Sequence, residues 1–147
     1  MINASKEVEF VRISNATAAG TGTITSDAVN MASAEGVAVI VAMGAVTSGA
    51  ATSVKLQQSS DDGGTDAYSD LEGTSITIAD TDDNKMLVLD LVKPTKQYIK
   101  AVVSRATANS AVDGIFAVKY GKRLQPVTQG STVATTETHI SPAEGTA

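Results

Sequence analysis

Apolar and polar positions alternate along this chain in short runs, and the clearest of them lie in Asn84–Thr107, NKMLVLDLVKPTKQYIKAVVSRAT. Two apolar runs, Met86–Val92 and Tyr98–Val103, flank the connection Lys93-Pro94-Thr95-Lys96-Gln97. Both runs are too short for ordinary helices and rich in residues that suit a pleated surface. Pro94 presets one backbone torsion and donates no hydrogen bond, so it belongs in a connection and not in a central ladder. The stretch is predicted to form a β-hairpin. Leu87, Leu89 and Leu91 share one face of its first strand, and Ile99, Ala101 and Val103 share one face of its second. Both faces are assigned to the core between two sheets.

The rest of the chain reads the same way. Strands are expected at Glu7–Ser14, loosely at Thr23–Met31, then at Gly36–Thr47, Ser53–Ser59, Thr74–Ala79 and Val112–Tyr120. In Gly36–Thr47 the β-branched cluster Val37, Val39, Ile40 and Val41 favours a strand over a buried helix, and Gly44 suggests a bulge or a close backbone approach. In Val112–Tyr120, Phe116, Val118 and Tyr120 fall on one side. Turn clusters separate the runs at Gly20-Thr21-Gly22, Ser60–Ser69 and Asp80–Lys85. After Gly121-Lys122-Arg123 the pattern dissolves: Leu124–Ala147 has many Thr, no Lys or Arg, and only isolated apolar residues. Three parts result: residues 1–6 as a lead-in or arm, 7–123 as an all-β antiparallel sandwich, and 124–147 as an extended arm ordered by docking. Pattern alone allows a jelly roll or an immunoglobulin-like sandwich. The small-residue segment Ala16–Thr25 is a candidate second arm.

Composition changes this picture in two ways. Hydrophobic residues make up 42% of the chain but aromatics only 3%, so the core must be built from Val, Ile, Leu, Met and Ala. A net charge of −5 and scattered Lys and Arg oppose binding to a phosphate backbone, so nucleic acid is not an expected partner. No apolar run is long enough to span a bilayer, no signal peptide is evident, and no membrane partner is expected. The absence of cysteine excludes disulfide and thiolate chemistry.

Candidate chemistry fails at each place where it is tested. His139, the one histidine, lies in the Thr-rich arm and reads as solvated or interfacial. Asp80, Asp82 and Asn84 match the first ligand positions of an EF-hand loop, but Lys85 and Leu91 stand where its glycine and glutamate belong. These acidic residues read instead as Asx turns, with an irregular calcium site as the alternative. Gly20-Thr21-Gly22 and Gly63-Gly64 lack the helix start and the Gly-Lys-Ser/Thr ending of phosphate loops. No enzyme, cofactor or metal is expected.

Three stretches carry a resemblance: VKLQQSSDDGGTDAYSDLEGT (Val54–Thr74), DTDDNKMLVLDLVKPTKQYIKAVVSRATANSAVDGIFAVKYGKR (Asp80–Arg123) and HISPAEGTA (His139–Ala147). The chain resembles small structural proteins from the head-gene clusters of tailed bacteriophages, and among them the capsid decoration, or cement, proteins of jelly-roll fold. The resemblance implies a non-enzymatic virion protein on the outer surface of the icosahedral head, made in the bacterial host cytoplasm. Its implied partners are the major capsid (coat) protein of the phage head and itself, as a homodimer or homotrimer. Arm residues Leu124, Val127, Val133, His139, Ile140 and Pro142 are then the expected contacts with the capsid or neighbouring subunits. The alternatives are a carbohydrate- or host-binding accessory of tail or spike, with Tyr68 as its one attractive sugar platform, and a head–tail or tail-tube component.

Overall fold

The computed structural model describes residues 3–146, so Met1, Ile2 and Ala147 lie outside the described part of the two arms. A single helical turn, α1 (Ala4–Glu7), precedes eleven strands: β1 (Glu9–Ser14), β2 (Thr17–Gly20), β3 (Ile24–Thr25), β4 (Val29–Asn30), β5 (Gly36–Val46), β6 (Ala51–Ser59), β7 (Ser69–Asp70), β8 (Ile76–Ile78), β9 (Met86–Val92), β10 (Tyr98–Ala106) and β11 (Ser110–Tyr120). All pairings are antiparallel. One sheet runs β1-β11-β5-β9, with β2 also on β11; the other runs β3-β10-β6-β7, with β4 on β10 and β8 on β6. Taking β1/β2, β3/β4 and β7/β8 each as one interrupted strand leaves eight strands in two sheets of four. Their order, first-eighth-third-sixth and second-seventh-fourth-fifth, is that of a jelly roll.

The core between the sheets is aliphatic, as the composition requires. Val37, Val39, Val41, Val54, Ile99, Ala101, Val103, Val112, Ile115 and Ala117 have no exposed surface. Among the described residues no aromatic side chain is buried. Two sheets filled this way lie close together, because Val and Ala side chains are short and β-branched chains interdigitate well on a pleat.

The hairpin expected at Asn84–Thr107 is not one. β9 pairs with β5 in one sheet, and β10 pairs with β6 in the other. The Lys93–Gln97 connection is therefore an arch that carries the chain across the sandwich. The reason is geometric: a hairpin sets two apolar faces side by side, whereas an arch sets them opposite each other. Leu89 and Ile99, Ala101 and Val103 are all buried in that opposed arrangement, so their assignment to the inter-sheet core holds. The arch begins with Lys93 in the left-handed region, at φ +50, and lacks the two-residue Asn-Gly type of turn that closes tight hairpins.

One further expectation is corrected. Ala16–Thr25 is not an arm: Thr17–Gly20 pairs with β11, and the following loop is held by Arg105. Small residues suit it because the Arg105 guanidinium lies within 3.5 Å of where a Cβ on Gly20 would stand. Thr23–Met31 is two short pieces, β3 and β4, on the edge of β10. At Gly44 the close approach is real. A Cβ there would lie 2.8 Å from Asp113 Oδ1, beside a register shift between β5 and β11.

Candidate functional site

The arm does not leave the domain at once. From Val127 onward it returns along β1, the outer strand of its sheet. Val127 N–H donates to Lys6 O at 2.7 Å, and the Val127 side chain is buried. The Gln129 amide then takes over the missing neighbour strand. Its Oε1 accepts the Phe10 N–H at 2.9 Å, and its Nε2 donates to Val8 O at 2.8 Å and Ser5 O at 3.2 Å. Thr132 Oγ1 accepts the Arg12 N–H at 3.1 Å. Side chains thus satisfy main-chain groups that an exposed edge would leave to water or to another chain. The last contact is between the Ser5 and Thr138 hydroxyls, 2.8 Å apart.

The six expected contact residues divide accordingly. Val127 is committed to the chain's own fold and Val133 is half-buried against it. Leu124 and Ile140 are 81% and 94% exposed, and Pro142 is exposed as well. His139 is exposed beside Glu137, with Nε2 and Oε2 3.0 Å apart. The arm is therefore docked between Val127 and Thr138, and residues 139–146 are exposed.

Sequence reading did not single out the broad outer face of the β1-β11-β5-β9 sheet. Register places Phe10, Val118, Ala38 and Asp90 in one row, and Arg12, Phe116, Ile40 and Val88 in the next. Phe10, Met86, Val88 and Val92 are 37%, 70%, 55% and 59% exposed. Arg12 lies over the Phe116 ring at 5.7 Å. A hollow of about 360 Å³ opens between this face and the docked arm, lined by Phe10, Ile40, Met86, Phe116 and Val133 among others. The signal was present in Met86–Val92, MLVLDLV, which is apolar on both faces except at Asp90. That pattern suits a strand covered on both sides.

The loop Ser60–Ser69 is tied to itself and to the arch. Asp61 accepts main-chain N–H bonds from Gly64, Thr65 and Asp66. Asp66 accepts from Lys96 Nζ at 2.7 Å, and this bond first, then those from Ser60, holds its carboxyl down at about 2. The Tyr68 hydroxyl donates to Asp62 at 2.5 Å, its ring packs on Gly63, and Lys100 Nζ sits 4.1 Å from the ring centre. This tyrosine pins a turn and has Lys100 on its face, leaving a poor platform for a sugar. Asp80 likewise holds Gly49 N–H and Ser48, and Asp82 holds Ala79 N–H and Lys85. Among the described residues no group of three or more His, Cys, Asp or Glu converges on a metal position.

Two charged clusters lie at opposite ends of β11. At one end Arg105 of β10, 8% exposed, donates from Nε to Gly22 O at 2.6 Å and from Nη1 to Ala18 O at 2.9 Å and Ser110 O at 2.7 Å. It joins the two sheets, and among the described residues no carboxylate pairs with it. At the other end Glu9 accepts from both Lys119, at 3.0 Å, and Lys122, which also donates to Ser33. Burial alone would raise the Glu9 carboxyl, but the bonds and charges of Lys122 and Lys119 together outweigh it and hold the group below 4.5. Lys119 is pushed down too, by burial first, with Glu9 opposing and the neighbouring Lys122 adding to it. The same downward direction favours the charged form of Glu9 and disfavours that of Lys119: the carboxylate gains two partners, while the lysine is buried and shares one.

Comparison with protein-family models and with curated proteins finds no match for this chain.

Proposed function

We propose that this chain is a non-enzymatic structural protein that binds the outer surface of an icosahedral phage head and cements neighbouring coat subunits. The observation that carries the reading is the exposed apolar face around Phe10, Met86, Val88 and Val92, beside an arm whose residues 139–146 are exposed. Monomeric proteins seldom leave a contiguous apolar patch of this kind without a partner. The resemblance of Val54–Thr74, Asp80–Arg123 and His139–Ala147 to phage-head proteins supplies the class of partner, and a jelly-roll scaffold is in keeping with it. Burying such a face against coat protein removes apolar area from water. A tethered arm then makes its own contact at high effective concentration. Resistance to internal DNA pressure follows from binding energy alone, with no bond made or broken.

The arm proposal is tested by a short deletion. Removing residues 124–147 would uncover the β1 edge and the Val127 site, so loss of binding would be ambiguous. Removing residues 139–147 takes away the His139–Glu137 contact and spares the bonds made by Val127, Gln129, Thr132 and Thr138. That chain is expected to melt like the full one and to bind heads roughly tenfold or more weakly, as measured by co-sedimentation. Equal occupancy by the two chains would overturn the role given to the arm.

A further inference from the structure

The two outer strands of the β1-β11-β5-β9 sheet are treated differently. The β1 edge is closed by Gln129 and Thr132 of the chain's own arm. The β9 edge has no such cover: among the described residues no strand pairs with its outer side. Lys93 N–H donates to Glu35 O, and Met43 N–H donates to Lys85 O. With the β5–β9 register, these bonds make the odd-numbered residues of β9 the ones that bond β5. Met86, Val88, Asp90 and Val92 therefore direct their main-chain N–H and C=O groups away from the sheet. Three of these four side chains are exposed and apolar, and the fourth, Asp90, is held by the Tyr120 hydroxyl at 2.6 Å. A bare apolar edge of seven residues, roughly 23 Å long, is a template for another strand.

The charges at its two ends select the partner. The N-terminal end of β9 follows Asp80, Asp82 and Asp83, with Lys85 the one cation among them. The C-terminal end leads into Lys93 and Lys96, which line one hollow with Arg123 and Glu35; Lys96 is bonded to Asp66, so Lys93 and Arg123 carry the positive end. Turning a second copy through a half-rotation brings the acidic end of each β9 beside the basic end of the other. A parallel arrangement would set like charge on like.

We infer that β9 pairs antiparallel with β9 of a second copy of this chain, joining two sheets into one across a two-fold axis at Leu89. In this register Met86 stands opposite Val92 and Val88 opposite Asp90, and every outward main-chain group of the four residues finds a partner. Centring the axis on Val88 strands Val92, and centring it on Asp90 sets two carboxylates face to face. The chosen register brings Lys85 opposite Lys93, but Lys85 is already bonded to Asp82 at 3.1 Å. Edge pairing uses main-chain groups, so the apolar side chains of both copies remain free and form one wider face. The inference specifies the self-association that the resemblance implies, and it rests on the proposed function in nothing else. It is measured on isolated protein without heads, so its failure leaves head binding to its own test.

The test is the mass of the full chain in solution, by sedimentation equilibrium or light scattering, with a dimer expected. Val88→Pro removes a donor that points away from β5, so it is expected to keep the fold while weakening the dimer at least about tenfold. Val88→Glu, which leaves the backbone donor in place and sets a second carboxylate opposite Asp90 of the other copy, is expected to weaken it as well. In this cysteine-free chain the pair Met86→Cys and Val92→Cys is expected to give a covalent dimer on oxidation, which the shifted registers would not. A wild-type monomer, a trimer, or a dimer undiminished in both folded Val88 variants would overturn the inference.

Discussion

Replacing Arg105 with alanine is expected to destabilise the fold by about 4 kcal/mol and to lower the melting temperature by roughly 10 °C. The guanidinium is nearly buried and reaches from β10 to three carbonyls: Ala18 and Ser110 of the opposite sheet and Gly22 in the loop after β2. Truncation leaves those carbonyls without their donor and empties the space beside Gly20 and Gly22. Bonds to a charged donor are worth more than neutral ones, and the carbonyl of Ser110, the buried residue of the three, is left as an orphaned acceptor. Arg105→Lys should fall between wild type and alanine, because an ammonium lacks the planar fork that serves three acceptors at once. Thermal unfolding followed by circular dichroism measures this. An alanine variant melting within a degree or two of wild type would show that the sheets are held there by apolar packing alone.

Glu9→Ala should cost about 3 kcal/mol, because it leaves two ammonium groups in a poorly solvated site without a counter-charge. The side chains of Lys119 and Lys122 are 8% and 11% exposed. The sign of the pH dependence follows from the Glu9 carboxyl lying lower in the folded chain than its ordinary 4.5. Its contribution is present above 4.5 and is lost as pH falls through the lower, folded value. Asp61, Asp66, Asp70, Asp80 and Asp82 are lowered too, so acid unfolding is shared among many groups. Glu9→Gln isolates one share: the stability gap between it and wild type, from urea unfolding, should narrow on moving from neutral to acid pH. A gap that stays constant or widens on acidification would contradict the ionic role of Glu9.

The sandwich could be read in the sequence because alternation is a local property. Leu87, Leu89 and Leu91 and Ile99, Ala101 and Val103 announce buried faces whatever their strands pair with. Pairing is not local, and Met86–Val92 and Tyr98–Ala106 carry the same alternation in a hairpin as in an arch. The jelly-roll order depends on that difference, visible only in the β5–β9 and β6–β10 ladders. The interface features were hidden for other reasons. Gln129 and Thr132 look like ordinary polar residues of a loose arm, and only the fold brings them to the unpaired donors of Phe10 and Arg12. Phe116, Val118 and Tyr120 share a side, but periodicity does not say whether that side faces core or solvent. Here it faces outward, which places the chain's few aromatics at the surface and leaves the core to Val, Ile, Leu, Met and Ala. Arg105 gave no signal at all, since its three acceptors are main-chain atoms.

The central claim, a structural role on the phage head, is tested most directly by copy number. On this proposal the chain is encoded by a phage, whose purified virions would be separated on a gel and the stained band of this protein quantified against the major coat protein. A shell-cementing protein should be present at a substantial fraction of the coat protein's own copy number. Absence from the virion, or only a handful of copies per particle as for a tail or spike accessory, would contradict the account.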